Sequence, residues 1–415
     1  MREMKDSGIE WVGQIPKDWD VVPHKQVMHK VKKICEQYSG EDIISLTMNG
    51  VIKRDLTAGG KMPTSFDGYQ YVKPNDLLLC LFDIDVTPRC VGVVKDYGVT
   101  SPAYSRFVMH DGYYNAYYDY LLRAIDDDKV FVHLSKNLRS SLTESDFGAI
   151  KTCVPSLAEQ KRIVKFLDAQ CAEIDTVLEK TRASVEEYKK LKQAVITQAV
   201  TKGIRGDRPM KDSGIEWIGD IPVEWDVIRV KQLLKERNER SKEGKEEPLS
   251  MSQKVGLVPT KFLESIPNMA SSFVGAKLAY VDDLVFNKLK AHLGVFSVSR
   301  YDGLVSPDYA VYCSTGKSNL KYLEYIFKTP QCIGEFRKKS TGIAAGLMRL
   351  YTEGLFSIYL PYPALSEQEE IAEYLNEKCA GIDALIVKKQ QYLTEIENYK
   401  KSLIYEYVTG KKEVV

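Results

Sequence analysis

Clusters of Arg and Lys in the loops are the residues of this chain with the most specific chemistry. Such side chains neutralise phosphate oxygens and can donate hydrogen bonds to guanine in the DNA major groove, while Asn137 or Gln253 could pair with adenine edges. Any single cation could be an ordinary solvated surface charge, so the prediction of double-stranded DNA binding depends on the clusters. The predicted DNA-binding residues are Lys53, Arg54, Lys61, Arg89, Lys136, Arg139, Lys254, Lys288, Lys290, Arg337, Lys338, Lys339 and Arg349.

A search for catalytic residues finds only incomplete motifs. The Gly-Lys-Ser at 316–318 resembles part of a phosphate-binding loop, but Val311 stands where that loop needs a glycine. The histidines show no metal-ligand spacing. The sequence has no Asn-Pro-Pro or Asp-Pro-Pro of an amino-methyltransferase and no glycine-rich loop for S-adenosylmethionine, and Pro307-Asp308 lacks the later Glu-x-Lys of a nuclease. We therefore predict no catalytic residue, no metal site and no cofactor.

Length and composition predict a protein of two or three folded domains. The chain has 415 residues, 44% of them apolar and 28% charged, with a net charge of +1. The apolar run at 77–82 is far too short to span a bilayer. We expect a cytoplasmic protein without membrane association. The eight cysteines form no CxxC pair, which favours buried, reduced thiols.

The sequence is a tandem duplication. "MKDSGIEWVGQIPKDWDVV" at 4–22 returns as "MKDSGIEWIGDIPVEWDVI" at 210–228, with 14 of 19 positions identical. "PSLAEQKRIVKFLDAQCAEID" at 155–175 returns as "PALSEQEEIAEYLNEKCAGID" at 363–383. Between these ends the loops differ: "DIDVTPRC" faces "KLKAH", and the second copy is longer around "RKKSTGIAAGLMR". A shared scaffold with divergent loops indicates two related tasks on different targets.

Each copy is predicted to contain a mixed domain followed by a long helix. Short apolar runs such as "DIISL", "DLLLCLF" and "CVGVV" predict strands, while "AYYDYLLRAI" and "LKYLEYIF" predict helices. After each domain, apolar residues recur every three or four positions in a narrow stripe. The stripe consists of Ile163, Leu167, Cys171, Ile174, Leu178, Val185, Tyr188, Val195 and Ala199, and of Ile371, Leu375, Cys379, Ile382, Ile386, Leu393, Ile396, Leu403 and Tyr407.

A long helix with one apolar stripe needs a partner, and its duplicate is the nearest one. We predict an antiparallel pair of helices, with each helix folded back on its own domain as the alternative. Ser366 and Glu369 predict a capping box at the start of the second helix. The first copy has Ala158 at that position and is expected to use Ser156 instead.

Three motifs together resemble the specificity subunit of a type I restriction-modification system. They are the duplicated "DSGIEWIGDIPVEWDV" segment, the "P-x-L-x-E-Q-x-x-I" start of each long helix, and "NKLKAHLGVFSVSRYDGLVSPDYAVY". The resemblance implies an α+β fold with two pseudo-symmetric target-recognition domains separated by an antiparallel coiled coil. It implies domains at 1–155 and 204–363, and spacer helices at 156–203 and 364–415. The first copy departs from the family pattern, because "LCLFDIDVTPRC" replaces the usual basic "NK" stretch.

The resemblance also implies partners. In that family each domain reads one half of a bipartite DNA site, and the subunit is not catalytic. Two methyltransferase subunits assemble on it, with ATP-dependent restriction subunits that translocate DNA, to direct adenine methylation and restriction. The tryptophans at 11, 19, 217 and 225 are expected to pin the domain edge to the helix end.

The starts of the long helices are where methyltransferases dock in that family. The predicted partner-binding residues are Pro155, Glu159, Gln160, Pro363, Glu367 and Gln368. Simple helix capping is the alternative for them. If they bind a partner, charge reversal at Glu159 and Glu367 is expected to lose the methyltransferase while the fold survives. A stand-alone DNA-binding repressor and a coiled-coil scaffold without DNA are the alternative functions.

Overall fold

The computed structural model of this chain is a mixture of helices and strands, as predicted. It describes residues 2–48, 50–57, 63–87, 89–127, 129–135, 140–253, 255–263, 272–342 and 348–414. The chain forms two compact units: unit 1 contains 1–182 and 391–415, and unit 2 contains 183–390. Every helix within the described ranges is too short or too polar to span a bilayer.

Unit 1 begins with short strands, continues with three helices and ends in the first long helix. The strands are β1 (Met4–Asp6), β2 (Gln14–Pro16), β3 (Asp20–Pro23), β4 (Met28–Lys30), β5 (Ile43–Thr47), β6 (Gly50–Lys53), β7 (Gln70–Val72), β8 (Leu77–Leu79), β9 (Val91–Val93), β10 (Gly98–Thr100), β11 (Ser105–Met109) and β12 (Lys151–Val154). The helices are α1 (Asn115–Asp127), α2 (Val130–Leu134), α3 (Glu144–Ala149) and α4 (Leu157–Lys202), and α4 continues into unit 2.

Unit 2 has a corresponding series of elements. The strands are β13 (Met210–Asp212), β14 (Asp220–Pro222), β15 (Asp226–Arg229), β16 (Leu234–Arg237), β17 (Leu249–Ser252), β18 (Gly256–Pro259), β19 (Lys277–Ala279), β20 (Leu284–Asn287), β21 (Phe296–Val298), β22 (Gly303–Val305), β23 (Tyr309–Ser314) and β24 (Tyr359–Tyr362). The helices are α5 (Val230–Leu233), α6 (Leu320–Phe327), α7 (Pro330–Lys339), α8 (Thr352–Phe356) and α9 (Leu365–Val408), and α9 ends in unit 1.

The duplication is visible in the strand pairing. The hairpin β1-β2 corresponds to β13-β14, and the pair β3-β12 corresponds to β15-β24. The antiparallel sheet β4-β11-β8-β9 corresponds to β16-β23-β20-β21. The remaining strands form the sheet β6-β5-β10-β7 in unit 1. In unit 2 the corresponding pairs β18-β17 and β22-β19 are joined by a parallel bridge between Pro248 and Leu304. The strand order of the second sheet is therefore part of the shared scaffold as well.

One close backbone approach is common to both copies. The amide of Val99 donates to the carbonyl of Asp42 at 2.8 Å, and the amide of Leu304 donates to the carbonyl of Glu247 at 2.9 Å. The preceding residue is glycine in each copy, at 98 and 303, and a Cβ there would collide with the same carbonyl oxygen. Only glycine permits this contact without movement of the backbone.

The two long helices run antiparallel within each unit. In unit 1, Lys400 pairs with Asp175 at 2.6 Å and Glu397 pairs with Arg182 at 2.5 Å. In unit 2, Asp383 pairs with Lys192 at 2.6 Å and Glu370 pairs with Arg205 at 2.7 Å. Along α4 and the segment after it the paired residues are 175, 182, 192 and 205, while their partners in α9 are 400, 397, 383 and 370. Residue numbers increase in one helix as they decrease in the other, so the predicted antiparallel pair is confirmed. The alternative, in which each helix packs only on its own domain, is wrong.

Each domain holds the start of its own helix and the end of the other helix. The Tyr117 hydroxyl donates to the carbonyl of Val408 at 2.8 Å, and the Tyr322 hydroxyl donates to the carbonyl of Val200 at 3.4 Å. The stripe is buried where the helices meet a domain, as at Leu167. Between those regions Leu178 and Val185 of α4 stay buried, whereas the stripe of α9 is half-buried from Ile382 to Ile396. Packing against the domains therefore buries the ends of the helix pair, and the α4 stripe is also buried in its middle.

The helix starts differ from the prediction in one copy. Ser156 precedes α4 and accepts a hydrogen bond of 3.3 Å from the amide of Glu159, which confirms the expected cap. The predicted capping box at Ser366 is wrong, because α9 begins at Leu365 and places that serine inside the first turn. The amide of Glu367 donates instead to the carbonyl of Ala364, the residue that corresponds to Ser156.

The cysteines are free, and all but Cys313 are buried, as predicted. Burial raises the pKa of the Cys153 thiol to about 12, so this side chain stays protonated at neutral pH. Where the structure describes the chain, His, Cys, Asp and Glu side chains form no group of three or more that could hold a metal ion.

A buried histidine of unit 1 has an apolar residue as its counterpart in unit 2. His24 follows β3 and is 0% exposed. Its Nδ1 lies 3.3 Å from the carbonyl of Phe147, which assigns the proton to Nδ1, and its buried Nε2 has no hydrogen-bond partner. Burial lowers the pKa of His24 to about 4. The corresponding residue of the second copy is Val230, which is also 0% exposed.

The repeat therefore supplies the substitution that tests this site, His24→Val. Between about pH 6.5 and 4 the unfolded chain binds a proton that folded His24 does not. Protonation therefore destabilises the native protein as the pH falls through this range. We expect the free energy of unfolding of the wild type, relative to His24→Val, to fall by roughly 2–3 kcal/mol between pH 7 and 4.5. Urea unfolding of both proteins measures this difference, and a constant difference would contradict a neutral buried imidazole.

Candidate nucleic-acid interface

A buried carboxylate in the first turn of α4 connects three parts of unit 1. Glu159 Oε2 accepts a hydrogen bond of 3.0 Å from the indole Nε1 of Trp19. Glu159 Oε1 lies 2.5 Å from a guanidinium nitrogen of Arg2, and Arg2 also pairs with Asp18 at 2.5 Å. Glu159 is 7% exposed and Trp19 is 1% exposed. The carboxylate is therefore shielded from water and depends on these partners.

Unit 2 repeats the same arrangement. Trp225 Nε1 donates to Glu367 Oε2 at 2.9 Å. Arg208 pairs with Glu367 and, at 2.7 Å, with Glu224. Each of these residues has the position of its counterpart in the first copy. We call the two sets the tryptophan joints: Arg2, Trp19 and Glu159 in unit 1, and Arg208, Trp225 and Glu367 in unit 2.

The glutamine that follows each of these glutamates ties the long helix to its domain. Gln160 is 0% exposed; its Oε1 accepts from the amide of Tyr114 at 2.8 Å and its Nε2 donates to the carbonyl of Pro155 at 2.9 Å. In unit 2, Gln368 accepts from the amide of Asn319 at 3.0 Å in the same way. Tyr114 directly precedes α1 and Asn319 directly precedes α6. The Glu-Gln pair thus fixes each domain on its long helix.

All six residues predicted to bind a partner are buried within their own unit. They are Pro155, Glu159, Gln160, Pro363, Glu367 and Gln368. Charge reversal at Glu159 or Glu367 would place a lysine against Arg2 or Arg208 at a buried site, so we expect it to destabilise the fold instead of leaving it intact. The two glutamates and two glutamines bond to residues of their own unit, which is closer to the helix-capping alternative. Partner docking at the helix starts stays a prediction.

The described basic residues of unit 2 approach one another around the loop that follows β20. The amide of Leu350 donates to the carbonyl of Lys288 at 3.0 Å. Lys288 Nζ donates to the carbonyl of Pro307 at 3.3 Å. Arg349 pairs with Asp308 at 3.4 Å. Two predicted DNA-binding residues that are distant in sequence are thus neighbours in space.

The turn between β17 and β18 and the helix α7 contact the same loop. Gln253 Nε2 donates to the carbonyl of Leu293 at 3.1 Å, and Lys290 in this loop is exposed. Burial lowers the pKa of His292, and the nearby charge of Arg337 lowers it further. The last turn of α7 thus brings its cations to this loop. We call the following set the basic surface of unit 2: Gln253, Lys288, Lys290, Arg337 and Arg349.

Two more predicted residues lie next to the basic surface. Lys338 and Lys339 follow Arg337 at the end of α7, and both are exposed. Lys338 pairs with Glu335 at 2.7 Å on the same helix. Exposed pairs of this kind are weak, so Lys338 can exchange its partner for a phosphate at little cost.

In unit 1, Lys53 and Arg89 both have acidic partners. Lys53 pairs with Asp42 at 2.7 Å, and both side chains are half exposed. Arg89 pairs with Asp127 at 2.9 Å and lies 3.6 Å from Asp126, with a side chain that is only 16% exposed. A guanidinium held by two carboxylates is poorly placed to neutralise a phosphate. The geometry supports Arg89 as an anchor of its loop more than as a DNA contact.

The remaining basic residues of the prediction are described in part. Arg54 follows β6 directly and is partly exposed. Lys61, Lys136, Arg139 and Lys254, with Asn137, lie outside the described residues.

Sequence reasoning missed exposed apolar residues in the loops of unit 1. Met48 at the end of the β5-β6 hairpin is 59% exposed, and in the loop between β8 and β9 Phe82 is 39% exposed and Val86 is 73% exposed. The sequence carried a signal for Met48, because it precedes Asn-Gly, a dipeptide typical of hairpin turns. The sequence carried no such signal for Phe82, because this residue ends the apolar run at 77–82, which predicts a buried strand.

Removing the charge of one joint tests its contribution to stability. Glu159→Gln keeps the shape and an acceptor for Trp19 but leaves Arg2 without its buried partner. Because Arg2 keeps Asp18, we expect the free energy of unfolding to fall by about 1.5–3 kcal/mol. Glu3→Gln is the matched control: its pair with Lys17 is exposed, so the loss should stay below about 0.5 kcal/mol. Equal losses in urea unfolding would mean that the joint does not stabilise the unit.

No family model matches the chain. It is 24% identical over 436 residues to the "Putative type I restriction enzyme MjaX specificity subunit" of Methanocaldococcus jannaschii, covering 97% of this chain and 96% of that protein. It is also 24% identical to the type I restriction enzyme MjaVIII specificity subunit of the same organism, over 65% of this chain and 63% of that protein.

Solved structures give the same result for the fold. A chain from a structure of a type I restriction-modification (R-M) system superposes with a TM-score of 0.72 at 13% identity, covering 96% of this chain and 99% of that one. The HsdS subunit from Thermoanaerobacter tengcongensis superposes with a TM-score of 0.52 at 14% identity, covering 96% and 98%. The resemblance predicted from the motifs is confirmed: in sequence and in fold, the chain is similar over nearly its whole length to specificity subunits of type I restriction-modification systems.

Proposed function

We propose that this chain is the specificity subunit of a type I restriction-modification system and recognises a DNA target of two separated half-sites. The observation that carries the proposal is the duplicated architecture. Two domains with the same scaffold are fixed to paired helices by the same joint, and they differ in their loops. A protein that reads two different half-sites with one fold needs this combination. The similarity to the MjaX subunit over 97% of the chain supports it.

In this proposal the basic surface of unit 2 contacts one half-site. Exposed lysines and arginines neutralise phosphates and fix the register, while side chains with donor and acceptor groups read base edges. The exposure of Lys290 and Arg337 and the position of Gln253 beside them support this assignment. Lys53 and Arg54 take the corresponding part in the first domain. The residues predicted from sequence in both domains stay candidates for these contacts.

The domain assignment also belongs to the proposal. Residues 1–155 and 204–363 are the two target-recognition domains, and 156–203 and 364–415 are the spacer helices. Each domain then recognises its own half-site, and the joints keep the recognition loops in a fixed orientation on the helices.

Partner subunits are part of the same proposal. Two methyltransferase subunits bind the chain and methylate adenine in the recognised sequence, and restriction subunits add cleavage in the cytoplasm. The chain itself is not catalytic and needs no cofactor. Apolar side chains on the paired helices support protein partners: Val177, Leu191, Leu385 and Val387 are 39%, 49%, 43% and 50% exposed.

A gel-shift experiment with and without a co-expressed methyltransferase separates this proposal from its alternatives. A specificity subunit forms a larger, sequence-specific complex when the methyltransferase is present. A stand-alone repressor binds its sequence equally well without that protein. A coiled-coil scaffold binds no specific sequence in either case.

Independent domains predict a modular specificity. Replacing residues 24–150 with the matching segment of a related specificity subunit should change one half of the methylated sequence and leave the other half unchanged. Both joints stay intact in this chimaera, since Trp19 and Glu159 lie outside the exchanged segment. Sequencing of methylated adenines in cells that express the chimaera measures the result. Changes in both halves would contradict independent reading.

The basic surface predicts a specific salt dependence. Lys290→Ala or Arg337→Ala should weaken DNA binding and lower the slope of log affinity against log salt by about 1 for each lost phosphate contact. Lys211→Ala is the control, because this exposed lysine lies in β13, which contributes no residue to the basic surface. Titrations at several salt concentrations measure the slopes. A slope equal to that of the wild type in both variants would exclude these residues from phosphate contact.

A further inference from the structure

The recognition loops of unit 1 form an apolar cleft that the proposed function does not explain. The β5-β6 hairpin and the loop between β8 and β9 face each other across a cleft of about 230 Å³. The hairpin contributes Leu46 and Met48, and the loop contributes Phe82 and Arg89. Two segments that differ in sequence from the second copy thus meet at one site.

The side chains of this cleft are exposed where burial would be expected. Met48 is 59% exposed and Phe82 is 39% exposed. Exposed apolar side chains that line one concave site mark binding surfaces more often than isolated ones do. Methionine suits such a site, because its flexible thioether adapts to the shape of a ligand.

The charge around the cleft favours a base edge over a phosphate. Arg89 is held by Asp127 at 2.9 Å and lies 3.6 Å from Asp126. The loop also carries two exposed carboxylates, Asp83 and Asp85, which would repel the DNA backbone. The corresponding loop of unit 2 carries Lys288 and Lys290 instead. The two domains therefore present different chemistry to their half-sites.

In the major groove, the apolar group that bases present is the C5-methyl of thymine. We propose that the first domain identifies at least one thymine of its half-site by apolar contact of Met48 and Phe82 with this methyl group. This inference depends on the proposed function, since it requires sequence-specific binding by the first domain. The cleft then recognises an A·T base pair. Arg89, held by Asp126 and Asp127, fixes the loop that carries Phe82.

Deoxyuridine provides the test, because it differs from thymidine only in the missing methyl group. The target sequence is first determined by sequencing methylated adenines, and the half-site of the first domain is the half that changes in the 24–150 chimaera. Each thymine of the target is then replaced singly by deoxyuridine, and binding of the full-length chain with its methyltransferase is measured. We expect one replacement in that half-site to weaken binding about fourfold, the effect of one buried methyl group.

Two variants connect this effect to the cleft. Met48→Ala with Phe82→Ala should bind the thymine and deoxyuridine targets equally, with an unchanged salt dependence because no cation is removed. Val223→Ala is the control, an exposed apolar residue directly after β14 in unit 2 that should keep the fourfold discrimination. Thermal unfolding verifies that the variants fold, which the exposure of both side chains predicts.

The failures of the two proposals are distinguishable. If the chain binds a specific sequence but no thymine in the half-site of the first domain is sensitive to deoxyuridine, the methyl contact is wrong and the proposed function stands. A half-site without thymine, or a double variant that keeps the discrimination, overturns the inference in the same way. If the chain binds no specific sequence at all, the proposed function fails and the inference fails with it.

Discussion

The buried carboxylate at the start of each long helix is the interaction on which the rest of this structure depends. Glu159 and Glu367 each accept an indole N–H and pair with an arginine, and each is followed by a buried glutamine that bonds to the domain. A charge at this depth is stable only when its partners are in place, so the helix start, the domain edge and the preceding segment must form together. Recognition loops held by such a scaffold can vary without loss of the joint.

The duplication made much of the fold predictable. The repeated motifs located the long helices, and the apolar stripe predicted their antiparallel pairing, because side-chain periodicity directly reflects which face is buried. Trp19 and Trp225 were correctly expected to pin the domain edge to a helix end. Strand pairing was harder, since short apolar runs do not specify which strands are neighbours, and the parallel link of β5 to β10 has no local signal.

The site was less predictable because charge in a sequence does not reveal its partner. Glu159 and Gln160 were attributed to partner binding by resemblance, whereas the structure buries both. The sequence carried a signal for Arg2, because Arg208 lies at the same distance before Trp225 as Arg2 lies before Trp19. A single arginine before a motif is nevertheless typical of a solvated surface residue. Arg89 looked like a DNA contact until its two acidic partners were known. Long-range ion pairs of this kind are set by tertiary packing and not by local sequence.

The two domains combine one scaffold with two kinds of recognition surface, and the joints explain how this is possible. The loop after β8 in unit 1 carries the exposed Phe82 and Val86 beside Arg89, which two carboxylates hold, while the corresponding loop after β20 in unit 2 carries Lys288 and the exposed Lys290. Neither loop contributes to the tryptophan joints or to the contacts with the helix ends. A substitution at a loop tip therefore leaves the stability of the scaffold nearly unchanged, because exposed side chains contribute little to the free energy of folding. In this chain the chemistry of recognition can change in one domain while the other domain and the helix pair stay as they are.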